Sequence, residues 1–545
     1  MFGLSTRLRA LPLVALSLFM LSGDTEAAVR IVLSTMPAAP ERFAAEELVK
    51  YLVAMGNPKP SVVLAPEEGD IYIGTLPGSL AAVRAQTMCG RLTGKDPDSF
   101  VLRSIGKRLV IYGNSPRANL FGTYYYLESL GARWYFPGAE NEVVPQAAVK
   151  LETYDVTEIP SFRKRGICVF ATTPGLAEQI DFAAKNRLNT IALHTEPSAP
   201  PFADAGYDVA VKAIGPRGLT IDIERHFFSK SFCPDDTATL EREKTNFRKY
   251  LSTLPSSMNE FFLWPADTAL QTRCSVQDKD YSVSDIVLWF SNEIARTLRE
   301  IRLQGRFPFL AYWSTTQPPK HVRPAPGVFL EWAPMWQSFA HAIDDASSAT
   351  NREHRQNLER FLEIFKPEEA QVLGYWLDDT FFLWKNYAYN RLPYCPTALK
   401  GDLAYYHRLG IPAITSFGVM LGSDYFSTHA SPTIFLYPRL LWNVKAEPRE
   451  VMNEFCRSYF GSADACKIFD LLAEADQMVY VEQHKVRREL VNAPRYVQIV
   501  SRAVDLSLKL VAAQSAPTLR ARAVRLVQEA TTRFSQGRPQ HNVGK

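Results

Sequence analysis

Four acidic residues stand beside apolar, aromatic runs. Asp378 and Asp379 interrupt "GYWLDDTFFLW", residues 374–384. Asp267 follows "FFLWPA", and Glu331 lies in "VFLEWAPMW". A buried carboxylate without a partner is expensive, so acids in such settings call for a reason. Glycosidic bond cleavage supplies one: one carboxyl group protonates the leaving oxygen, and another activates water or attacks directly. An apolar wall also raises a carboxyl pKa toward that of a general acid. Trp264, Tyr312, Trp313, Trp332, Trp336, Tyr375 and Trp376 surround these acids in the sequence and offer faces that stack on sugar rings. His194 in "IALHTE" and His226 in "ERHFF" end strand-like runs and are able to donate to a sugar hydroxyl. Arg165 in "FRKRG" either anchors a substrate carboxylate or pairs with a neighbouring acid. Each residue alone has a plainer explanation: an acid after a strand is commonly a helix N-cap or a surface group. The recurrence on three strand ends argues for a shared site.

The elements that would position these residues lie within 160–442. Candidate strands are Phe162–Phe170, Asn189–His194, Leu219–His226, Glu260–Pro265, Phe307–Trp313, Val328–Trp332, Gln371–Leu377 and Ala413–Gly418. Helical patterns such as "VSDIVLWFSNEIARTLREIRLQG" separate several of them. Eight strands over this length match a (β/α)8 barrel, whose active site sits at the C-terminal ends of the strands. Asp378 and Asp379 then fall at the rim, where the seventh strand ends. Neighbouring residues project differently, so one of the two faces the pocket, and Asp378 is the expected one.

The rest of the chain frames that barrel. Residues 28–159 read as a small α/β domain, with an amphipathic helix in "PERFAAEELVKYLVAMG" and a hairpin in "DSFVLRSIGKRLVIYGNS" turning at Gly106. Residues 443–534 carry four helical patterns, and 535–545 form a polar tail expected to be disordered. The expected fold class is α/β: a small N-terminal α/β domain, a central TIM-like barrel and a C-terminal helical region.

A net charge of +4 without a dense Lys/Arg block argues against nucleic acid as a partner. Arg7 and Arg9 precede "LPLVALSLFML", which reads as the core of a signal peptide over residues 1–27, with the mature chain starting near Ala28. The expected location is therefore periplasmic or secreted, with no membrane span after signal removal. The seven cysteines fit no zinc spacing and the histidines do not cluster along the chain, so no metal or cofactor is expected. Free buried cysteines and one or two bridges are both compatible with an odd count. Cys233 and Cys274 follow successive barrel strands on one rim and are expected to lie close together.

The stretch "PRANLFGTYYYLESLGARWYFPGAENEVVP", residues 116–145, resembles the end of the N-terminal domain shared by α-glucuronidases and β-hexosaminidases. "SDIVLWFSNEIARTLRE" and "YPRLLWNVKAEPREVMNEFCRSYFG" are similar to the bacterial domain-of-unknown-function 4838 family, a glycosidase-like barrel. The resemblance implies a sugar-cleaving barrel behind an accessory α/β domain. It implies Asp267 as general acid, later-strand acids (Glu331, Asp378 or Asp379) for the water, and Trp134 in "ARWYF" within reach of the sugar. No Lys or Arg stands just before Asp267 to read a uronate, and the hexosaminidase-type Asp-Glu pair is absent after the fourth strand. The expected function is an exported, α-glucuronidase-like glycoside hydrolase acting on a polysaccharide or glycoconjugate. The alternative is a non-catalytic carbohydrate-binding protein on a degenerate barrel.

Overall fold

The computed structural model describes residues 28–76, 90–195, 205–228, 233–256, 258–265, 274, 276, 280–378, 391–418, 421–481, 485–486 and 488–535. Its N-terminal part is a six-stranded sheet made of β1 (Arg30–Leu33), β2 (Ser61–Leu64), β3 (Ile71–Ile73), β4 (Phe100–Ile105), β5 (Arg108–Gly113) and, later in the chain, Asp155–Glu158. β4 and β5 form the expected antiparallel hairpin, and Gly106 takes a positive φ in its turn. Helices Ala39–Ala54 and Pro116–Ser129 pack on this sheet. The second starts where Ser115 Oγ accepts from Ala118 N and Pro116 occupies the first turn, a position that needs no N–H. A short ladder of β6 (Arg133–Trp134) with β7 (Glu142–Val143) precedes Asp155–Glu158, which is β8.

The central part is an eight-stranded, all-parallel sheet: β9 (Lys164–Phe170), β10 (Thr190–His194), β11 (Thr220–Phe228), β12 (Phe262–Pro265), β13 (Phe307–Ala311), β14 (Val328–Trp332), β15 (Gln371–Gly374) and β16 (Ala413–Phe417). The spatial order β12-β11-β10-β9-β16-β15-β14-β13 wraps the first strand against the last. Among the described residues only the β12–β13 seam lacks a ladder. A single parallel bridge between Glu260 and Arg306, reinforced by their 2.6 Å ion pair, closes it at the N-terminal end. Apolar runs such as Phe307–Ala311 are buried throughout, as parallel strands covered on both faces must be.

Two strands stop earlier than the apolar pattern suggests, and both stops shape the mouth. β15 ends at Gly374 because the chain turns tightly there: a Cβ on Gly374 would collide with the Trp376 ring. The turn is held by Leu377 N donating to Ser416 Oγ and Asp378 N to the Tyr375 carbonyl. β13 ends at Ala311, and a one-turn 3-10 helix, Trp313–Thr315, follows.

Helices 433–442, 448–459, 465–479, 494–513 and 517–535 make up the C-terminal part. Asp476, fully buried, accepts from Arg391 Nη1 at 2.8 Å and from Arg533 Nε and Nη2 at 2.9 and 2.7 Å. This links the segment after the seventh strand to the last helix. Disulfides join Cys233 to Cys274, the pair expected from the rim positions (Cα–Cα 5.6 Å), and Cys456 to Cys466. No spacing pattern along the chain singles out the second pair.

The N-terminal sheet meets the barrel at Asp98. Its carboxylate accepts from Arg165 Nη2 at 2.7 Å, Asn189 Nδ2 at 2.8 Å and Arg117 Nε at 2.8 Å. Burial pushes the Asp98 pKa up, but Arg165 and Arg117 outweigh it and hold the group below its ordinary range. Such a group contributes stability above its unfolded-state pKa and loses it as pH falls through the folded-state value. Replacing one partner strands the other charge, which costs about 3–5 kcal/mol. Asp98→Asn is therefore expected to lower the urea midpoint sharply at pH 7. It should also flatten the acid limb of the stability profile. A wild-type midpoint at pH 7 in the variant would refute the anchoring role.

Candidate active site in the barrel

In a strand, side chains two apart share a face. In β11, "TIDIERHFF", this places Asp222, Glu224 and His226 together. They point inward, because their contacts reach strands that are not their neighbours. Asp222 pairs with Lys164 on β9, and Glu224 meets Cys168 on β9, across the intervening β10. Glu331 on β14 likewise accepts from Trp264 Nε1 on β12 at 2.9 Å.

The interior has three levels. Nearest the N-terminal ends, Lys164 Nζ lies 2.5 Å from Asp222 and 3.5 Å from Glu260. Above it come Cys168, Glu224, Glu331, Gln371 and Thr415. Glu331 is fully buried, with Oε2 held by Trp264 and Oε1 accepting from Gln371 Nε2 at 3.1 Å. Burial first, and the Glu224 charge second, raise its pKa well above the carboxylate range. Glu224 is pushed up too, chiefly by burial. Two protonatable carboxyl groups thus sit in one dry layer.

The mouth is aromatic. The His194 ring lies 4.7 Å from Phe170, 5.8 Å from Trp264, 5.8 Å from Phe417 and 6.0 Å from His226. Burial, followed by the charges of His226 and Arg225, lowers the His194 pKa to about 4, so its imidazole is neutral near pH 7. His226 Nδ1 lies 2.6 Å from the Pro265 carbonyl, which makes it a donor there. Asp378 is buried, 6% exposed, and close enough to Cys168 for its charge to raise that thiol. The Tyr375 ring lies 5.8 Å from Phe417, tilted by 41°.

The structure thus gathers Glu331, Asp378, His194, His226, Trp264 and Tyr375 around one interior. Tyr312 and Trp313 follow β13, where Trp313 is 36% exposed and stands 5.2 Å from Trp336. Asp267 and Asp379 lie outside the described residues. Four expected contacts point elsewhere. Trp332 alternates outward from Glu331 and packs on His354 and Phe361 of helix Ala349–Leu362. Trp376 donates to Asp402 at 2.8 Å, on a helix behind the strand. Trp134 sits in the N-terminal part, donating to the Tyr51 hydroxyl at 2.9 Å. Arg165 is fully buried at the start of β9, bound to Asp98. It took the ion-pair option rather than the substrate option, at the end of the barrel away from the mouth. Strand alternation and strand direction decide Trp332 and Arg165; Trp376 lies in the turn after β15, and Trp134 lies outside the barrel sheet.

Cys168, Glu224, Lys164, Asp222 and Gln371 were not singled out from the sequence. A signal existed for β11: Asp222, Glu224 and His226 stand at i, i+2 and i+4, on one face of the strand.

The fold is similar to that of two glycoside hydrolases of known structure. Over 93% of this chain and 72% of the other, it superposes on a family GH115 4-O-methyl-α-glucuronidase with specificity for decorated arabinogalactans (TM-score 0.62, 13% identity). Over 93% of this chain and 69% of the other, it superposes on a GH138 enzyme targeting pectin rhamnogalacturonan II (TM-score 0.56, 11% identity). At these identities the likeness establishes the fold. Residues 266–470 match the family model described as "Domain of unknown function (DUF4838)". No curated protein matches the sequence.

The raised Glu331 pKa has a consequence for stability. A group whose folded pKa is raised contributes stability below its unfolded value, near 4.5, and loses it as pH rises through the folded value. Glu331→Gln keeps the shape and removes the titration; the Gln371 amide can turn to accept from it. The wild type is expected to lose up to about 1.4 kcal/mol per pH unit relative to the variant above the unfolded pKa. Thermal melts of both proteins from pH 5 to 8 check this; parallel profiles would show that Glu331 is ionised in the fold.

Proposed function

We propose that the chain is an exported glycoside hydrolase acting at the C-terminal mouth of the barrel. One observation carries the reading. A neutral His194, a His226 fixed by its Nδ1 donation to the Pro265 carbonyl, and the Trp264 ring converge with the buried Asp378 in a single aromatic-lined mouth. Sugar recognition uses such a mix of stacking faces and hydroxyl partners, and two carboxyl groups then suffice for hydrolysis. The GH115 and GH138 neighbours, both described as acting on plant polysaccharides, make decorated arabinogalactans and pectic glycans the first substrates to try.

Asp267, two residues past the end of β12, is the proposed proton donor. Asp378 handles the attacking water or a sugar hydroxyl. Glu331 is poorly suited to be the base: it is fully buried, both its oxygens are engaged, and burial keeps it protonated. Its role in this reading is to orient Trp264. Arg165 is committed to Asp98, so recognition of a uronate carboxylate would need another group.

Export is supported by the signal-like N-terminus and by two disulfides, which persist in oxidising compartments. Among the described residues no helix is long and apolar enough to cross a membrane.

Two experiments test the proposal. In a glycan screen, Asp267→Asn is expected to lower turnover by roughly 10²–10⁴-fold on any active substrate, with binding and folding preserved. Asp378→Asn should cost more than Asp379→Asn. Full rate in Asp267→Asn would remove the acid assignment, and binding without hydrolysis on every glycan would favour a non-catalytic carbohydrate-binding protein. Separately, N-terminal sequencing of the protein from its native host should begin within a few residues of Ala28. An intact Met1 on cytoplasmic protein would overturn export.

A further inference from the structure

We infer that Cys168, His194 and Glu224 form a binding site for a divalent transition-metal ion, Zn2+ foremost, on the inner wall of the barrel. The three residues come from the adjacent strands β9, β10 and β11. One ligand atom of each lies within 4.8 Å of the others, and all three side chains are buried. In a tetrahedral zinc site with bonds of about 2.0–2.3 Å, ligand atoms stand roughly 3.3–3.8 Å apart. The cluster is therefore open by at most about 1–1.5 Å relative to a closed site.

Three further features single this cluster out. The first is the donor set: one thiol, one imidazole and one carboxyl group are the ligand types that zinc takes, and the mixture suits a borderline-soft ion. The second is orphaned polarity. His194 Nδ1 is buried and has no hydrogen-bond partner among the described residues, and the buried Glu224 carboxyl group is met by the Cys168 thiol of the same cluster. Buried polar atoms without a partner are uncommon and call for an explanation. Here the orphaned atom faces a cluster whose other members are as closed off, with His194 and Glu224 only 8% and 0% exposed. The third is charge. A thiolate and a carboxylate together cancel the charge of a divalent cation, so the loaded site is neutral in a dry interior. The same two groups, both ionised without the ion, would be a buried anion pair of the kind proteins avoid. Loading is a simple exchange: the Cys168 thiol and the Glu224 carboxyl group each release a proton to solvent as the metal–ligand bonds form.

Spacing along the chain gives no metal signature for these residues. Residues 168, 194 and 224 are far apart in sequence, and only the parallel register brings them to one place. Three protein ligands leave a fourth coordination position for a water or a substrate hydroxyl. The inference holds whether or not the chain cleaves glycans.

The test uses the untagged full chain with metal ions alone as probes. Protein stripped with a chelator, incubated with Zn2+ and desalted is expected to retain stoichiometric zinc by elemental analysis. Its melting temperature should rise with free Zn2+ by mass action. With Co2+ in place of zinc, a near-ultraviolet thiolate-to-metal charge-transfer band should appear. Cys168→Ser should lose that band, and His194→Gln and Glu224→Gln should lose stoichiometric retention, with circular dichroism confirming the fold. Where a variant fails to fold, the wild-type cobalt spectrum still decides. Absence of a thiolate band, or zinc retained undiminished by folded Cys168→Ser, would overturn the assignment.

Discussion

The interior of the barrel is organised around the ammonium group of Lys164. A closed parallel barrel has one core, and any acid placed in it must be neutralised there. Burial lowers the Lys164 pKa, but Asp222 and Glu260 more than compensate, and it stays charged. Asp222 and Glu260 take most of that charge at the N-terminal end, where Arg306 adds a second cation for Glu260. A cavity of about 410 Å³ at this end is lined by these same groups, together with Arg163, Asn189 and Gln371. One layer higher, Glu224 and Glu331 feel Lys164 only as a weaker influence and are held toward the neutral form.

This gradient separates structure from chemistry along the barrel axis. The lower level is ionic and paired, which fixes strand register at the seam. The middle level carries carboxyl groups whose protons are not committed to an ion pair. The upper level is aromatic, with the His194 imidazole kept neutral by burial. Groups that exchange protons need pKa values moved toward the working pH, and desolvation against a distant cation is one way to do it.

The mouth is held from outside by contacts that do not touch it. Asp98 clamps Arg165, Asn189 and Arg117, so the N-terminal sheet fixes the lower ends of β9 and β10. Arg165 also lies over the Trp442 ring, which ends a helix beyond β16. At the upper rim the Cys233–Cys274 bridge ties the segment after β11 to the segment after β12. Asp476, gripped by Arg391 and Arg533, ties the segment after β15 to the last helix.

Residue types and their periodicity determined much of this by themselves. Apolar runs of strand length, separated by amphipathic helices, specified eight barrel strands, because burial on both faces demands that composition locally. The Gly106 turn and the C-terminal helices were legible for the same local reason. The strand ends at Ala311 and Gly374 were not, since a tight turn there depends on what surrounds Trp313 and Trp376. The direction of each side chain was also out of reach. Trp332 and Glu331 are neighbours in sequence, yet one packs on a helix and the other faces the core, and only strand register decides which. Arg165 met Asp98 across 67 residues, and Cys168, His194 and Glu224 met across three strands. Such meetings are set by closure of the barrel, a global condition that spacing along the chain does not encode.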